Sequence, residues 1–230
     1  MVKITDVNIY YEVRGEGEPL VLISGLGMDI TTMELIIGRL SKKYSVLAFD
    51  NRGTGRSDKP DIPYTIEMMA DDTAGLLKAL GIKQAHIVGA SMGGRIAIAI
   101  ALRNPELVKS LVLTSTSARP ITSARVFQLK LLRLIPLQRM LKKYPQPYYA
   151  SVRQLYALHS FDYSDRLDKI RVPTLILHGK RDKIAHRLNE EMHNNIQGSK
   201  TITFNGGHMF FIWEYKRFTE AVIEFLGSIN

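Results

Sequence analysis

The stretch Val88-Gly89-Ala90-Ser91-Met92-Gly93-Gly94 constrains this chain more than any other. It reads Gly-x-Ser-x-Gly, in which a serine sits on a sharp turn between a buried strand and the following helix, held in a strained conformation that lifts its hydroxyl clear of the sheet. Strand and helix then pass so closely that side chains two positions before and after the serine would collide. Gly89 and Gly93 supply the room. In a chain with 17 glycines the bare pattern can also be a glycine-rich turn with an incidental serine, so the flanks must decide. Ahead of it, Ala85-His86-Ile87-Val88 is a short run suited to a buried strand. Behind it, an apolar helical stretch from Arg95 to Leu102 stops near Asn104-Pro105.

The rest of the chain repeats this alternation. Val7 to Val13 alternates like a half-exposed strand, and Gly15 to Pro19 turns it into Leu20-Val21-Leu22-Ile23, an apolar run of the kind covered on both faces. A helical stretch to about Lys43 leads to a second buried strand, Ser45 to Phe49. Thr65 caps a helix over Ile66 to Leu80 with Gly81 as its stop, and Ser110 to Thr114 is the strand after the serine's helix. Strands recur at Val172 to Leu177 and Lys200 to Phe204, separated by a helix reaching Ile196 and followed by one ending near Gly227. Apolar strands separated by helices indicate an α/β fold, a mostly parallel central sheet with helices on both faces. The rhythm breaks between residues 118 and 171, where helical stretches at Phe127 to Leu134 and Leu137 to Lys143 precede the aromatic-rich Tyr144 to Tyr149. We read residues 1–117 and 172–230 as one core domain and 118–171 as a helical insertion over the carboxyl ends of the strands, where such sheets bind ligands.

A serine hydroxyl is a weak nucleophile until a base takes its proton, and the base needs an acid to fix its tautomer. On this kind of sheet, acid and base lie on loops after later strands, in the order serine, acid, histidine. Of six histidines, His208 alone follows the last strand, on the glycine turn Asn205-Gly206-Gly207. Asp182 follows the penultimate strand; Asp162, Asp165 and Asp168 sit where the insertion ends. The catalytic set expected is Ser91, Asp182 and His208. An oxyanion formed at an acyl carbon needs two donors, which backbone amides supply without reorganisation. The N–H of Met92, at the helix start, is one, and Leu26 in the loop Ser24-Gly25-Leu26-Gly27 supplies the other.

Gly89-Ala90-Ser91-Met92-Gly93, then Asp182, then His208, with Asp50-Asn51-Arg52-Gly53-Thr54-Gly55-Arg56-Ser57 earlier, resemble the α/β-hydrolase fold superfamily. The resemblance implies that residues 118–171 form a short cap, that Leu26 and Met92 form the oxyanion hole, and that Asp50 to Ser57 is a structural loop beside the site. Many relatives carry His-Gly where this chain has Ser24-Gly25, and the Ser-x-Leu-Gly form is similar to the branch of 3-oxoadipate enol-lactonases, as is Tyr64 to Glu67 through Leu80 to Ile82. Dehalogenases and epoxide hydrolases of this fold use aspartate where Ser91 stands. Proline iminopeptidases usually place tryptophan where Met92 follows the serine.

The activity implied is hydrolysis of a carboxylic ester or lactone through an acyl-enzyme on Ser91, without cofactor or metal. A hydrolase-like ligand-binding receptor, a carbon–carbon bond hydrolase, a thioesterase and a perhydrolase share the same apparatus. Between Arg119 and Arg171 the chain carries 11 Lys and Arg against three Asp, a net +8 of its total +9. Lys130, Arg133, Arg139, Lys142 and Lys143 either line a solvated helix face or draw an anionic acyl substrate to the mouth. Membrane-surface docking is a third reading of this charge, and no nucleic-acid motif accompanies it. The partner expected is a small-molecule ester or lactone, with homo-oligomerisation open. The absence of cysteine, of an apolar leader and of any run long enough to span a bilayer suits a cytoplasmic protein.

Overall fold

The protein's structure, a computed structural model, describes residues 1–120, 143–182 and 186–229. Its apolar runs become strands whose successive residues feed opposite faces of one sheet. Leu20 and Leu22 of β4 (Pro19–Ile23) pack on one side while Val21 and Ile23 pack on the other. Both sides are helix-covered, so such a strand shows no polar alternation.

Among the described residues the sheet holds seven strands in the order β3 (Tyr11–Arg14), β5 (Ser45–Phe49), β4, β6 (Ala85–Ala90), β7 (Val108–Thr114), β8 (Thr174–Gly179) and β9 (Lys200–Phe204). Every neighbouring pair is parallel except β3 with β5. A separate hairpin joins β1 (Val2–Ile4) to β2 (Val7–Ile9). On one face lie α2 (Ile66–Ala79) and α3 (Met92–Arg103); on the other lie α1 (Glu34–Leu40) and α7 (Tyr215–Gly227). Among the described residues the remaining α-helices are α4 (Tyr148–Ser160), α5 (His186–Asn195) and the single turn α6 (Phe210–Trp213). Trp213, the chain's one tryptophan, is 82% exposed.

Local chemistry sets the boundaries of α2. Thr65 Oγ1 accepts the N–H of Met68 at 3.0 Å, and at the far end Gly81 takes φ +69° while Ile82 N–H returns to Leu77 O at 2.9 Å. A side-chain cap and a left-handed glycine thus satisfy backbone groups the helix cannot.

One expectation changes. The strand anticipated over Val7 to Val13 divides at Tyr10, because Tyr10 N–H donates to Ser57 Oγ at 2.8 Å and Asn8 N–H to Asp58 Oδ2 at 2.8 Å. The backbone there pairs with the loop after β5 instead of continuing a ladder. Helix α4 lies within the segment read as a helical insertion, beyond the two stretches for which individual helices were anticipated. The anticipated helices at 127–134 and 137–143 lie outside the described residues except for Lys143.

Candidate active site

The elbow is built by steric exclusion. Ser91 has φ +54° and ψ −113°, a conformation that side chains with a Cβ rarely adopt. A Cβ on Gly89 would lie 2.4 Å from Gly93 O, and one on Gly93 would lie 2.1 Å from Ile23 O. Only hydrogen at both positions lets α3 start this close to β4 and β6. The serine backbone is clamped as well: Ser91 N–H donates to Thr114 O at 2.8 Å, and Thr116 Oγ1 donates to Ser91 O at 2.7 Å.

Asp182 and His208 arrive on the loops after β8 and β9, which are stitched together. Lys180 N–H donates to Phe204 O at 2.7 Å, Arg181 N–H to Gly206 O at 3.0 Å and Arg181 Nε to Asn205 O at 2.8 Å. A Cβ on Gly179 would come within 2.5 Å of Gly206 O, so glycine is what allows the loops to touch. Ser115, just past β7 and itself at φ +47°, donates its hydroxyl to His208 O at 2.8 Å.

The result is one line of three side chains. His208 Nε2 lies 3.0 Å from Ser91 Oγ, and His208 Nδ1 lies 2.9 Å from Asp182 Oδ2. The Asp182 side chain is fully buried and that of His208 is 23% exposed. A carboxylate can only accept, so the Asp182 contact places the proton on Nδ1 and leaves Nε2 free to accept the serine hydroxyl. The arrangement can move a proton from Ser91 to an imidazole whose charged form faces a buried carboxylate.

The other two expected residues lie next to this line. Ser24 to Met28 forms a tight turn, with Met28 N–H donating to Gly25 O at 3.1 Å and Gly27 at φ +67°. A Cβ on Gly25 would lie 3.3 Å from Ser91 Cβ, so the turn runs directly beside the serine. Neither the N–H of Leu26 nor that of Met92, the first residue of α3, donates to an acceptor among the described residues. For Met92 this follows from its place in the helix, where no preceding turn offers a carbonyl.

The other histidines have different partners. His86 packs its Nδ1 2.8 Å from Ser110 Oγ and its Nε2 3.1 Å from Glu18 Oε2. This second Ser–His–carboxylate set lies at the opposite ends of the strands, and although Glu18 is half-exposed, its serine and histidine, Ser110 and His86, are completely buried. His178 Nε2 meets Thr203 Oγ1 at 3.0 Å, His193 Nδ1 meets Ser199 Oγ at 2.9 Å, and His159 lies in the last turn of α4. The side chain of His186 lies outside the described residues.

The structural reading of Asp50 and Arg52 also has its contacts. Asp50 accepts the N–H groups of Ile30 and Arg56, each at 2.8 Å, and burial raises its pKa. Arg52 forms a fork with Asp72, at 2.5 and 2.7 Å, and pairs with Asp6 at 3.0 Å. Among the described residues no three His, Cys, Asp or Glu side chains gather to hold a metal ion, and no helix is long and apolar enough to cross a membrane.

Three contributors escaped the sequence reading. Ser115 and Thr116 hold the backbones of His208 and Ser91, and their one signal was the hydroxyl run Thr114-Ser115-Thr116-Ser117 at a strand end. Gln154 of α4 is the third; it is fully buried and bonded to Gly27. The basic residues Lys130, Arg133, Arg139 and Lys142 lie outside the described residues.

Comparison with known proteins agrees with this architecture. The profile of the alpha/beta hydrolase fold family matches residues 18–146. A protein of Azorhizobium caulinodans, assigned provisionally as carbamate hydrolase RutD, is 28% identical across 98% of this chain and 97% of its own. Among solved structures, an esterase from Exiguobacterium antarcticum superposes with a TM-score of 0.85 at 28% identity, covering 96% of each chain. The enol-lactonase from Burkholderia xenovorans LB400 gives 0.83 at 26% identity, covering 97% of this chain and 98% of that one.

Proposed function

This chain belongs to the alpha/beta hydrolase family, and from that membership we infer that it is a serine hydrolase cleaving a carboxylic ester or lactone. The observation that carries the reading is the unbroken contact from Asp182 through His208 to Ser91, at 2.9 and 3.0 Å. Ser91 Oγ attacks the acyl carbon as His208 Nε2 takes its proton, and Asp182 stabilises the imidazolium through Nδ1–H. The negative charge on the former carbonyl oxygen is met by the N–H groups of Leu26 and Met92. His208 then protonates the departing alkoxide, and a water activated by the same imidazole releases the acid from Ser91.

Residues 118–171 act in this reading as the cap that selects the acyl and alcohol groups, with their basic residues favouring anionic substrates. Carbonyl attack serves carbamates as well, and the name of the Azorhizobium relative makes them the second class to assay. The decisive experiment is hydrolysis of a panel of esters, lactones and carbamates by wild type and Ser91→Ala, with fluorophosphonate labelling of both. Turnover and labelling should vanish together in the variant; turnover that survives the substitution rejects the assignment. A kcat/KM for anionic esters that falls with added salt, against a flat response for neutral ones, would support the role of the basic cap.

A further inference from the structure

Three consecutive residues at the exit of β7 hold two members of the catalytic line by their backbones. Thr114 O accepts the Ser91 N–H at 2.8 Å, Thr116 Oγ1 donates to Ser91 O at 2.7 Å, and between them Ser115 Oγ donates to His208 O at 2.8 Å. A carbonyl can only accept, so the hydroxyl hydrogen of Ser115 is committed to His208. Ser115 is buried, and its own N–H donates to Leu177 O at 2.9 Å, which carries the pairing of β7 with β8 one residue past the strand end. Its φ of +47° is matched in sign, among the described residues other than glycine, only by Thr5 and Ser91. Such a conformation persists in a residue with a Cβ only where the surroundings impose it.

We propose that Ser115 is a positioning residue for His208, referring the base to the same strand exit that clamps the nucleophile. This role rests on the function inferred above. Among the described residues, the Ser115 hydroxyl makes the one hydrogen bond to the His208 backbone. The carbonyls ahead of it are engaged elsewhere: Asn205 O and Gly206 O accept from Arg181, and Gly207 O accepts the Phe210 N–H at 3.1 Å. Gly206 and Gly207 give the approach to His208 wide conformational freedom, which a bond at the histidine itself removes. The imidazole meets Asp182 and Ser91, at 2.9 and 3.0 Å, and the second of these contacts is given up when Ser91 Oγ attacks. The Ser115 bond lies outside the path of the proton and survives that step. It keeps the ring placed to return its proton to the leaving group.

The test uses Ser115→Ala, read by kcat and KM for p-nitrophenyl acetate, by the second-order rate of fluorophosphonate labelling, and by the melting temperature. Both reactions need His208 to take the Ser91 proton. The expected result is a fall of about 10-fold in kcat and in the labelling rate together, with KM within about twofold, because alignment of the base counts in the reacting complex and not in binding. Ser110→Ala is the control. It removes a fully buried hydroxyl from the same strand, at the end away from the site, and should leave both rates at wild-type values. A Ser115→Ala protein within about twofold of wild type in either rate overturns the proposal, whatever its melting temperature. An equal fall in Ser110→Ala also overturns it, since the loss would then come from damage to β7. If Ser115→Ala does not fold, Ser115→Gly, which accepts the positive φ and lacks the same hydroxyl, is measured in its place against the same outcomes. Ser91→Ala separates the two levels: turnover or labelling that survives that change removes the functional inference, whereas loss there with no effect of Ser115→Ala removes only the role of Ser115.

Discussion

Arg95 of the elbow helix donates from Nη1 to the backbone carbonyl of Leu158, near the end of α4. Its Nη2 donates to Ser117 Oγ at 2.7 Å and to Arg119 O at 2.8 Å. Residues 117 to 119 open the segment between β7 and β8 and Leu158 lies near its close, so one guanidinium four positions after Ser91 ties both roots of that segment to the core. Burial lowers its pKa to about 10, still far above neutral, with the Asp162 carboxylate opposing that shift, and its hydrogen bonds go to neutral oxygens.

Replacing Arg95 by methionine should therefore cost roughly 1–3 kcal/mol of stability, because the buried Ser117 Oγ and the part-buried carbonyls of Leu158 and Arg119 lose this donor while the apolar stem is kept. Urea denaturation of the two proteins gives the number. A midpoint equal to wild type would show that these oxygens find other donors.

The backbone at Ser91 leads to a second expectation. Ser91→Gly and Ser91→Ala should both be inactive, but the glycine variant should be the more stable by about 1–3 kcal/mol, since it alone relieves the positive φ. Thermal melts of the pair would decide this, and an alanine variant as stable as the glycine one would show that the elbow stores no strain.

Asp182 is expected to act through orientation and charge, not packing. Asp182→Asn keeps the shape but offers an amide to Nδ1, which favours the tautomer carrying its proton on Nε2, unable to accept from Ser91. Turnover should fall roughly 10⁴-fold with the melting temperature little changed. A loss below about 10-fold would place the acid elsewhere.

The sealed His86 should make the fold acid-sensitive. Burial holds its pKa below the ordinary value of 6.5, with Glu18 opposing that shift. The unfolded chain then binds a proton where the folded one does not, so this contribution is complete above pH 6.5 and is lost as pH falls through the window beneath it. Between about pH 8 and pH 5.5 the melting temperature of wild type should drop further than that of His86→Gln. Parallel curves would remove His86 as the cause.

Most of the sheet was readable because a parallel strand covered on both sides must be apolar throughout, as Leu20 to Ile23 and Leu111 to Leu113 are. The elbow was readable because Gly89 and Gly93 answer a steric demand that no other residue meets. His208 and Asp182 followed from the order of the strands. What stayed hidden depends on contacts between residues far apart: Tyr10 breaks its strand because of Ser57, 47 positions later, and Gln154 matters because of Gly27, 127 positions earlier. Nothing local in either residue announces its partner. Residue type alone marks Gln154 as an ordinary surface amide on a helix, and only its complete burial shows otherwise.

The solitary indole at 213 has a bearing on how this molecule is studied. With 82% of its surface already in water, five residues beyond the imidazole at 208, it senses solvent in the native state almost as it would in an unravelled chain. Its emission will barely register loss of the fold, so denaturation is better followed by circular dichroism or calorimetry. The same fluorophore, with no second one in the core to mask it, is left as a quiet local reporter whose quenching by a soluble probe should respond to events near the histidine loop.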